Sequence, residues 1–356
     1  MTDNKTTDIK INCPESTKRL DYLDVAKGIA ILLVIVGHTF TVWKVKVNWI
    51  FSFHMPLFFI LSGYFFKKGS KTEYAKLFKS LIIPYLFLNL FKLALMYIAN
   101  SEQVNVCKQL LGILYGNAFS GYRKVCLIDV PIIGMTWFLL ALFWCRVIYS
   151  ELNKLAEKFG FSMFWTVLIL AFASMQLNKF ICLPFSIMPG ITSMIFYHIG
   201  RVIREKSIFD LKLSKIPPIL IVLSLVLWEC CCVYGYVRLN ENRIKLIMDM
   251  ICAVIGTYYV VIFSKQILKI PVISTFLKWC GRYSLVIFGF HSLDGIIMYE
   301  VCKLLPAFNK INSWSEYFAY LAVRIGIILI LAFGYVLIKN KIKYFIQMKK
   351  TKIEQE

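Results

Sequence analysis

The sequence predicts an all-α integral membrane protein of about ten transmembrane helices with both termini in the cytosol. Three observations carry that expectation. Over 356 residues, 59% are hydrophobic and the mean hydropathy is +0.67, more apolar surface than a water-soluble fold of this size buries. The apolar residues fall in stretches of about 17 to 23, the length of helix that crosses a bilayer. The 41 Lys and Arg, set against 20 Asp and Glu, gather in alternate short connections, which is a topology signal rather than one basic nucleic-acid-binding domain.

Residues 1–19 are polar and aperiodic and are expected to be a disordered cytosolic tail. The first apolar run is too long for a cleavable leader and has no small-residue cleavage site, so it reads as a true span. Residues 20–340 form the membrane unit, with spans expected near 27–44, 48–66, 80–99, 132–150, 161–178, 187–204, 216–236, 246–265, 283–302 and 317–338. Residues 341–356 read as a basic cytosolic tail. The cytosolic connections carry Lys67, Lys68, Lys71, Lys76 and Lys79, then Lys154 and Lys158, then Arg201, Arg204, Lys206, Lys212 and Lys215, then Lys265, Lys269, Lys278 and Arg282. The long outward connection 100–131 contains GNAFSGYRKVCLIDVPIIG, whose Gly, Pro and Asn argue for a looped or re-entrant cap that an external substrate would touch. No internal repeat is evident. None of the 11 Cys has C-x-x-C spacing, so no metal site is expected and most are small apolar fillers, while Cys107, Cys126 and Cys182 lie outside, where a disulfide can form.

Ionisable residues inside such spans are costly and point to function. Lys27 and His38 are eleven residues apart on the first span, which on an α-helix turns about 1100° and rises roughly 16 Å, so both project from nearly one face. His54 enters the second span about as far from its outer end as His38 is from that of the first, so the two imidazoles are expected at one depth, lining an outer cavity. Histidine suits general base catalysis because its unperturbed pKa is near 6.5. The plainer alternative for each is a packing histidine bonded to a backbone carbonyl. Pro56 removes a backbone bond just beyond His54, and Ser62 and Gly63 permit close helix approach.

Lys67, Lys68, Lys76 and Lys79 make one cytosolic basic cluster, and Arg201, Arg204 and Lys206 another. Lipid headgroups account for many such charges. Asp24 is placed to pair with Lys27 across one helical turn. His291 and Asp294 are a further i, i+3 pair with Arg324 available to neutralise the carboxylate, either as a structural pair or as a carboxylate-held histidine of the kind that supports acyl transfer. Trp137, near the outer end of the fourth span, is a candidate to stack on a sugar ring. Glu229, Lys92 and Arg146 read as snorkelling residues, and His198 adjoins a cytosolic run.

The opening KGIAILLVIVGH followed by FHMPLFFILSGYFF resembles the acyltransferase 3 family of multispanning membrane enzymes, and DYLDVAKGIAILLVIVGH with SFHMPLFF is nearest its fucose 4-O-acetylase-like branch. TWFLLALFW at 136–144, FYHIGRVIR at 196–204 and GRYSLVIFGFH at 281–291 extend the likeness in order. The sequence departs from the common form in having Lys27 where Arg is frequent, and Lys76 and Lys79 in place of an Arg-rich run. The resemblance implies an O-acyltransferase, most simply an O-acetyltransferase, in the plasma membrane. It would take cytosolic acetyl-CoA or another acyl-CoA as donor substrate, hold no resident cofactor, and acylate a cell-surface polysaccharide or lipid-linked sugar. In that reading His38 and His54 are catalytic, Lys27, Lys79 and Arg204 hold the donor, Trp137 meets the acceptor, and His291 with Asp294 supports. The competing class is a transporter or flippase, for which many spans and buried ionisable groups would also serve.

Overall fold

The computed structural model describes residues 20–42, 47–99, 104–116, 130–211, 213–233, 237–309, 311 and 313–353; the expected tail at 1–19 lies outside them. Among the described residues there are twelve α-helices and no strand: α1 (Asp21–Val42), α2 (Asn48–Tyr64), α3 (Lys71–Ala99), α4 (Val106–Tyr115), α5 (Trp137–Phe159), α6 (Met163–Leu177), α7 (Ile187–Glu205), α8 (Pro218–Val233), α9 (Leu246–Ile267), α10 (Pro271–Arg282), α11 (Ser284–Leu304) and α12 (Trp314–Ile353). Six stretches are long and apolar enough to cross a membrane: Asp21–Phe40, Lys71–Ala99, Gly134–Phe159, Ile247–Ile267, Ser284–Leu304 and Trp314–Met348. The other four expected spans coincide with α2, α6, α7 and α8. Of these, α2, α6 and α8 have 17, 15 and 16 residues, or about 22–26 Å of helix against a hydrocarbon core of about 30 Å.

Two helices were not among the expected spans. Helix α4 lies within the long connection, where Asn105 caps it by accepting a hydrogen bond from Lys108 N at 2.9 Å and Gly116 ends it in the left-handed region at φ 68°. Most of the GNAFSGYRKVCLIDV segment that follows lies outside the described residues. Helix α10 begins with Pro271 at its first position and ends at Arg282, burying Ser274, Leu277, Cys280 and Gly281 along one side. The expected tail at 341–353 continues α12 as helix.

Helices α1, α2, α7, α9 and α10 form the packed centre, whereas α3, α8 and α12 turn Phe87, Ile98, Leu223 and Ile330 outward as lipid-facing surface. Two helix pairs approach so closely that only glycine fits. A Cβ on Gly28 would stand 2.1 Å from Leu277 O, and one on Gly281 would stand 1.7 Å from Asp24 O, which locks α1 against α10. Gly63 and Gly200 do the same for α2 and α7, with Tyr197 O at 1.8 Å and Ile60 O at 1.9 Å. Small residues are the way membrane helices approach when apolar burial gives no preference for protein over lipid. The acidic first turn of α1 is then joined to the basic end of α10, Asp21 pairing with Lys278 and Arg282 at 3.1 and 3.5 Å and Asp24 with Arg282 at 3.5 Å.

Gly281→Ala should therefore destabilise the protein by about 1–3 kcal/mol, the usual cost of overpacking. Gly334→Ala, with nothing within 4 Å of its would-be Cβ, is the control and should be neutral or slightly stabilising. Thermal unfolding of the two variants in detergent checks this contrast.

Candidate functional site

The site is built where the far half of α1 meets α2, α11 and α12. Lys27 and His38 sit on the same helix, as the spacing requires, one near its acidic first turn and the other near its opposite end. The His38 ring packs 5.4 Å, centroid to centroid, from the His291 ring of α11 and lies edge-on to Phe51 at 5.9 Å. His54 is on the other side of that same phenylalanine, 5.1 Å from it. His54 and His291 are thus gathered around His38 and Phe51.

The two partner histidines have different hydrogen bonding. His54 Nδ1 is 2.9 Å from Ile50 O, and because a carbonyl only accepts, the ring donates there and keeps its Nδ1 proton. His291 Nδ1 is 2.6 Å from Asp294 Oδ2, which is also approached by Arg324 Nε at 2.8 Å and Nη2 at 2.7 Å. A carboxylate held by a guanidinium is an acceptor, so His291 donates from Nδ1 and turns its Nε2 away from the carboxylate. That Nε2 is fully buried and has no hydrogen-bond partner among the described residues. The i, i+3 spacing puts His291 and Asp294 on one face of α11, and the third helix completes the set. Arg324 Nη1 donates to Thr39 Oγ1 at 2.8 Å, and Thr39 donates to Ile35 O at 2.8 Å, so the residue next to His38 is anchored to the same guanidinium. His291, Asp294 and Arg324 are at most 7% exposed.

At the other end of α1, cations surround the segment that follows α2. Lys27 pairs with Asp24 at 3.4 Å and lies 5.6 Å over the Phe65 ring. Arg201 lies 4.9 Å over the Phe66 ring and pairs with Glu205 at 2.7 Å, and Arg204 Nη1 donates to Tyr64 O at 3.3 Å. Lys27 and Arg204 are brought to one place. Lys79 is not: it is exposed on the outward side of α3, as is Lys76, which pairs with Glu73 at 3.0 Å. Between the cationic end and the histidines lies an apolar cavity of about 160 Å³. Ile31 and Val34 line it from α1, Met55 and Phe58 from α2, and Phe138 and Phe288 from α5 and α11. Ile31 and Val34 stand one and two turns beyond Lys27 on the way to His38.

Trp137 is 7% exposed and packed edge-on to Phe138 within the core. Cys107 is exposed and Cys182 buried, and Cys126 lies outside the described residues. His198, given no role from the sequence, meets the Tyr149 hydroxyl at 2.8 Å. The sequence reading missed Thr39 and Phe51. Their only signal was adjacency to His38 and a 3-residue offset from His54, which is ordinary in any helix.

The chain is thus a helical unit with six stretches able to cross a membrane, in which a carboxylate-held histidine lies beside a second imidazole. The family model described as an acyltransferase domain matches residues 20–333, and the chain belongs to the acyltransferase 3 family. No curated protein and no solved structure matches the chain.

Breaking the buried pair should be costly. Arg324→Met leaves Asp294 short of its counter-charge and should destabilise by about 3–5 kcal/mol. Asp294→Asn combined with Arg324→Met should recover part of that loss in thermal unfolding, because no uncompensated charge remains. A double variant no more stable than the single one would rule out charge balance as the cause.

Proposed function

We propose that the protein is an O-acetyltransferase of the fucose 4-O-acetylase-like branch, moving an acetyl group from cytosolic acetyl-CoA to a hydroxyl of a cell-surface glycan or lipid-linked sugar in the plasma membrane. Membership of the acyltransferase 3 family supports acyl transfer, and the observation that carries the rest is the contact of His38 with the Asp294-held His291. The ten sequence spans are read as ten crossings, with the ends of α1 and α10 that carry Lys27 and Arg282 in the cytosol, and both termini there.

In this reading the phosphates of the donor meet Lys27 and Arg204, and Lys79 would guide it from the rim. The acyl-bearing arm follows the apolar cavity between Lys27 and His38. His38 takes the proton of the sugar hydroxyl, assisted by the His291 ring beside it, and the hydroxyl oxygen attacks the thioester carbonyl. The C–O bond forms, the C–S bond breaks, and the proton passes to the departing thiolate. His54, held on Ile50 O, would fix the Phe51 wall and present its other nitrogen to the same space. Trp137 would back the acceptor. A transporter would leave acyl-CoA intact, so consumption of acetyl-CoA by purified protein separates the two classes.

His38→Ala should lower acyl transfer by about 10²–10⁴-fold, the worth of a general base, with insertion and protein level unchanged. Activity above about one tenth of wild type would remove His38 from that role. Lys27→Ala should raise the acetyl-CoA concentration needed for half-maximal rate, and Lys27→Arg should keep it near wild type. Orientation is checked by an impermeant thiol reagent with sites mapped by mass spectrometry. Cys107 should react in intact cells, and an Asp210→Cys variant should react at residue 210 only after permeabilisation.

A further inference from the structure

A second cavity, of about 240 Å³, lies beside the histidine end and is lined by both polar and apolar groups. Its floor is Asn89 and Lys92 of α3, its roof is α4 with Gln109 and Gly112, and its side wall is the 131–133 segment. Three contacts build it. The Tyr85 hydroxyl donates to Ile113 O at 2.6 Å and pins α4 down. Asn89 Nδ2 donates to Thr136 Oγ1 at 3.0 Å and to Tyr85 O at 2.8 Å, fixing the wall to the floor. Gly112 lies so close to the wall that a Cβ would stand 3.0 Å from Pro131 O.

Lys92 is the informative residue. It stands between Phe91 and Leu93 in an apolar helix, where a lone ammonium is costly. Among the described residues no carboxylate pairs with it and no hydrogen bond holds it. The charge of Asp294 acts on it, but that carboxylate is already bound by His291 and Arg324. Gly134, in the left-handed region at φ 71°, leaves the space above it open, since a Cβ there would be 3.9 Å from Lys92 Nζ. Gln109 also lines the cavity, with no side-chain hydrogen-bond partner among the described residues. A cavity of mixed lining that holds an ammonium with no anion among the described residues, next to a carboxylate that is already bound, is suited to an anion brought from outside.

We propose that this cavity binds an anionic sugar, its carboxylate or phosphate on Lys92 and a hydroxyl on Gln109. Its volume lies below the roughly 300–1,000 Å³ of drug-sized ligand sites, which suits one sugar ring rather than an oligosaccharide. On the acyltransferase reading, on which the role but not the binding rests, it is the acceptor subsite and makes the acceptor an acidic glycan or sugar phosphate.

The test is thermal stabilisation of the purified full-length protein by glucuronate, glucose 1-phosphate, inorganic phosphate and glucose. Glucuronate or glucose 1-phosphate should stabilise it, and the stronger of the two identifies carboxylate or phosphate as the recognised group. Glucose should not, and inorganic phosphate should be weaker than the sugar anion. Lys92→Gln should lose about tenfold or more in affinity while Lys92→Arg keeps most of it. Equal stabilisation of wild type and Lys92→Gln, or no preference for the charged sugars over glucose, would overturn the proposal. So would a Lys92-dependent shift produced by phosphatidylglycerol nanodiscs and not by any sugar, which would make the site a lipid contact. Acetyl-CoA consumption is measured on the same samples. Lys92-dependent binding by a protein that never consumes acetyl-CoA would sink the enzyme reading and leave the site standing, and consumption without such binding would do the reverse.

Discussion

The Asp294 carboxylate is the constraint around which the rest of the site is arranged. A carboxylate away from water costs several kcal/mol unless it is paired and hydrogen-bonded, and here three N–H groups from two side chains converge on one of its oxygens. Each partner has a second consequence. Arg324 spends its remaining reach on Thr39, which ties α12 to α1. His291 is held through its Nδ1, which leaves its Nε2 buried with no hydrogen-bond partner among the described residues. One buried charge therefore links three helices and sets the orientation of the histidine beside His38.

The glycine contacts serve the same arrangement from the opposite end. Lipid tails are as apolar as leucine, so membrane helices are held by close packing and polar contacts rather than by burial alone. Gly28 with Gly281, and Gly63 with Gly200, bring backbones together where no Cβ fits. Those contacts hold α1 and α2 rigidly near the cationic end, and the ion pairs of Asp21 and Asp24 with Lys278 and Arg282 close that end off. Helix α1 is thereby a fixed strut with a cation at one end and an imidazole at the other. An apolar cavity runs beside it, a shape that suits a ligand with a charged head and a reactive far end.

The cavity above Lys92, of mixed polar and apolar lining, extends the same logic to the other side of the histidines. Its floor and wall are locked by side-chain hydrogen bonds, as the cationic end is locked by glycine contacts and ion pairs. Rigid boundaries on both sides fit a reaction in which two substrates meet at a narrow place. Positioning rather than flexibility would then supply much of the rate.

What the sequence determined by itself was local. Apolar runs placed the helices, since length and hydropathy decide which segments leave water, and the i, i+3 spacings of Asp24 with Lys27 and His291 with Asp294 are pairs that helix geometry makes adjacent wherever the helix goes. The motif around Lys27, His38 and His54 was legible for the same reason, being contained in two consecutive helices. Tertiary structure decided what no helical period encodes. The contact of His38 with His291, the bond from Arg324 to Thr39 and the meeting of Lys27 with Arg204 at the end of α2 all depend on the rotation and order in which helices pack. Lys92 is the clearest case. From sequence it was one more lysine near a span end, able to reach water. Only the α4 roof, pinned through Tyr85, and the backbone turn at Gly134 make it a half-buried charge lining a cavity with no anion among the described residues, because a cavity belongs to the space between elements and not to any one of them.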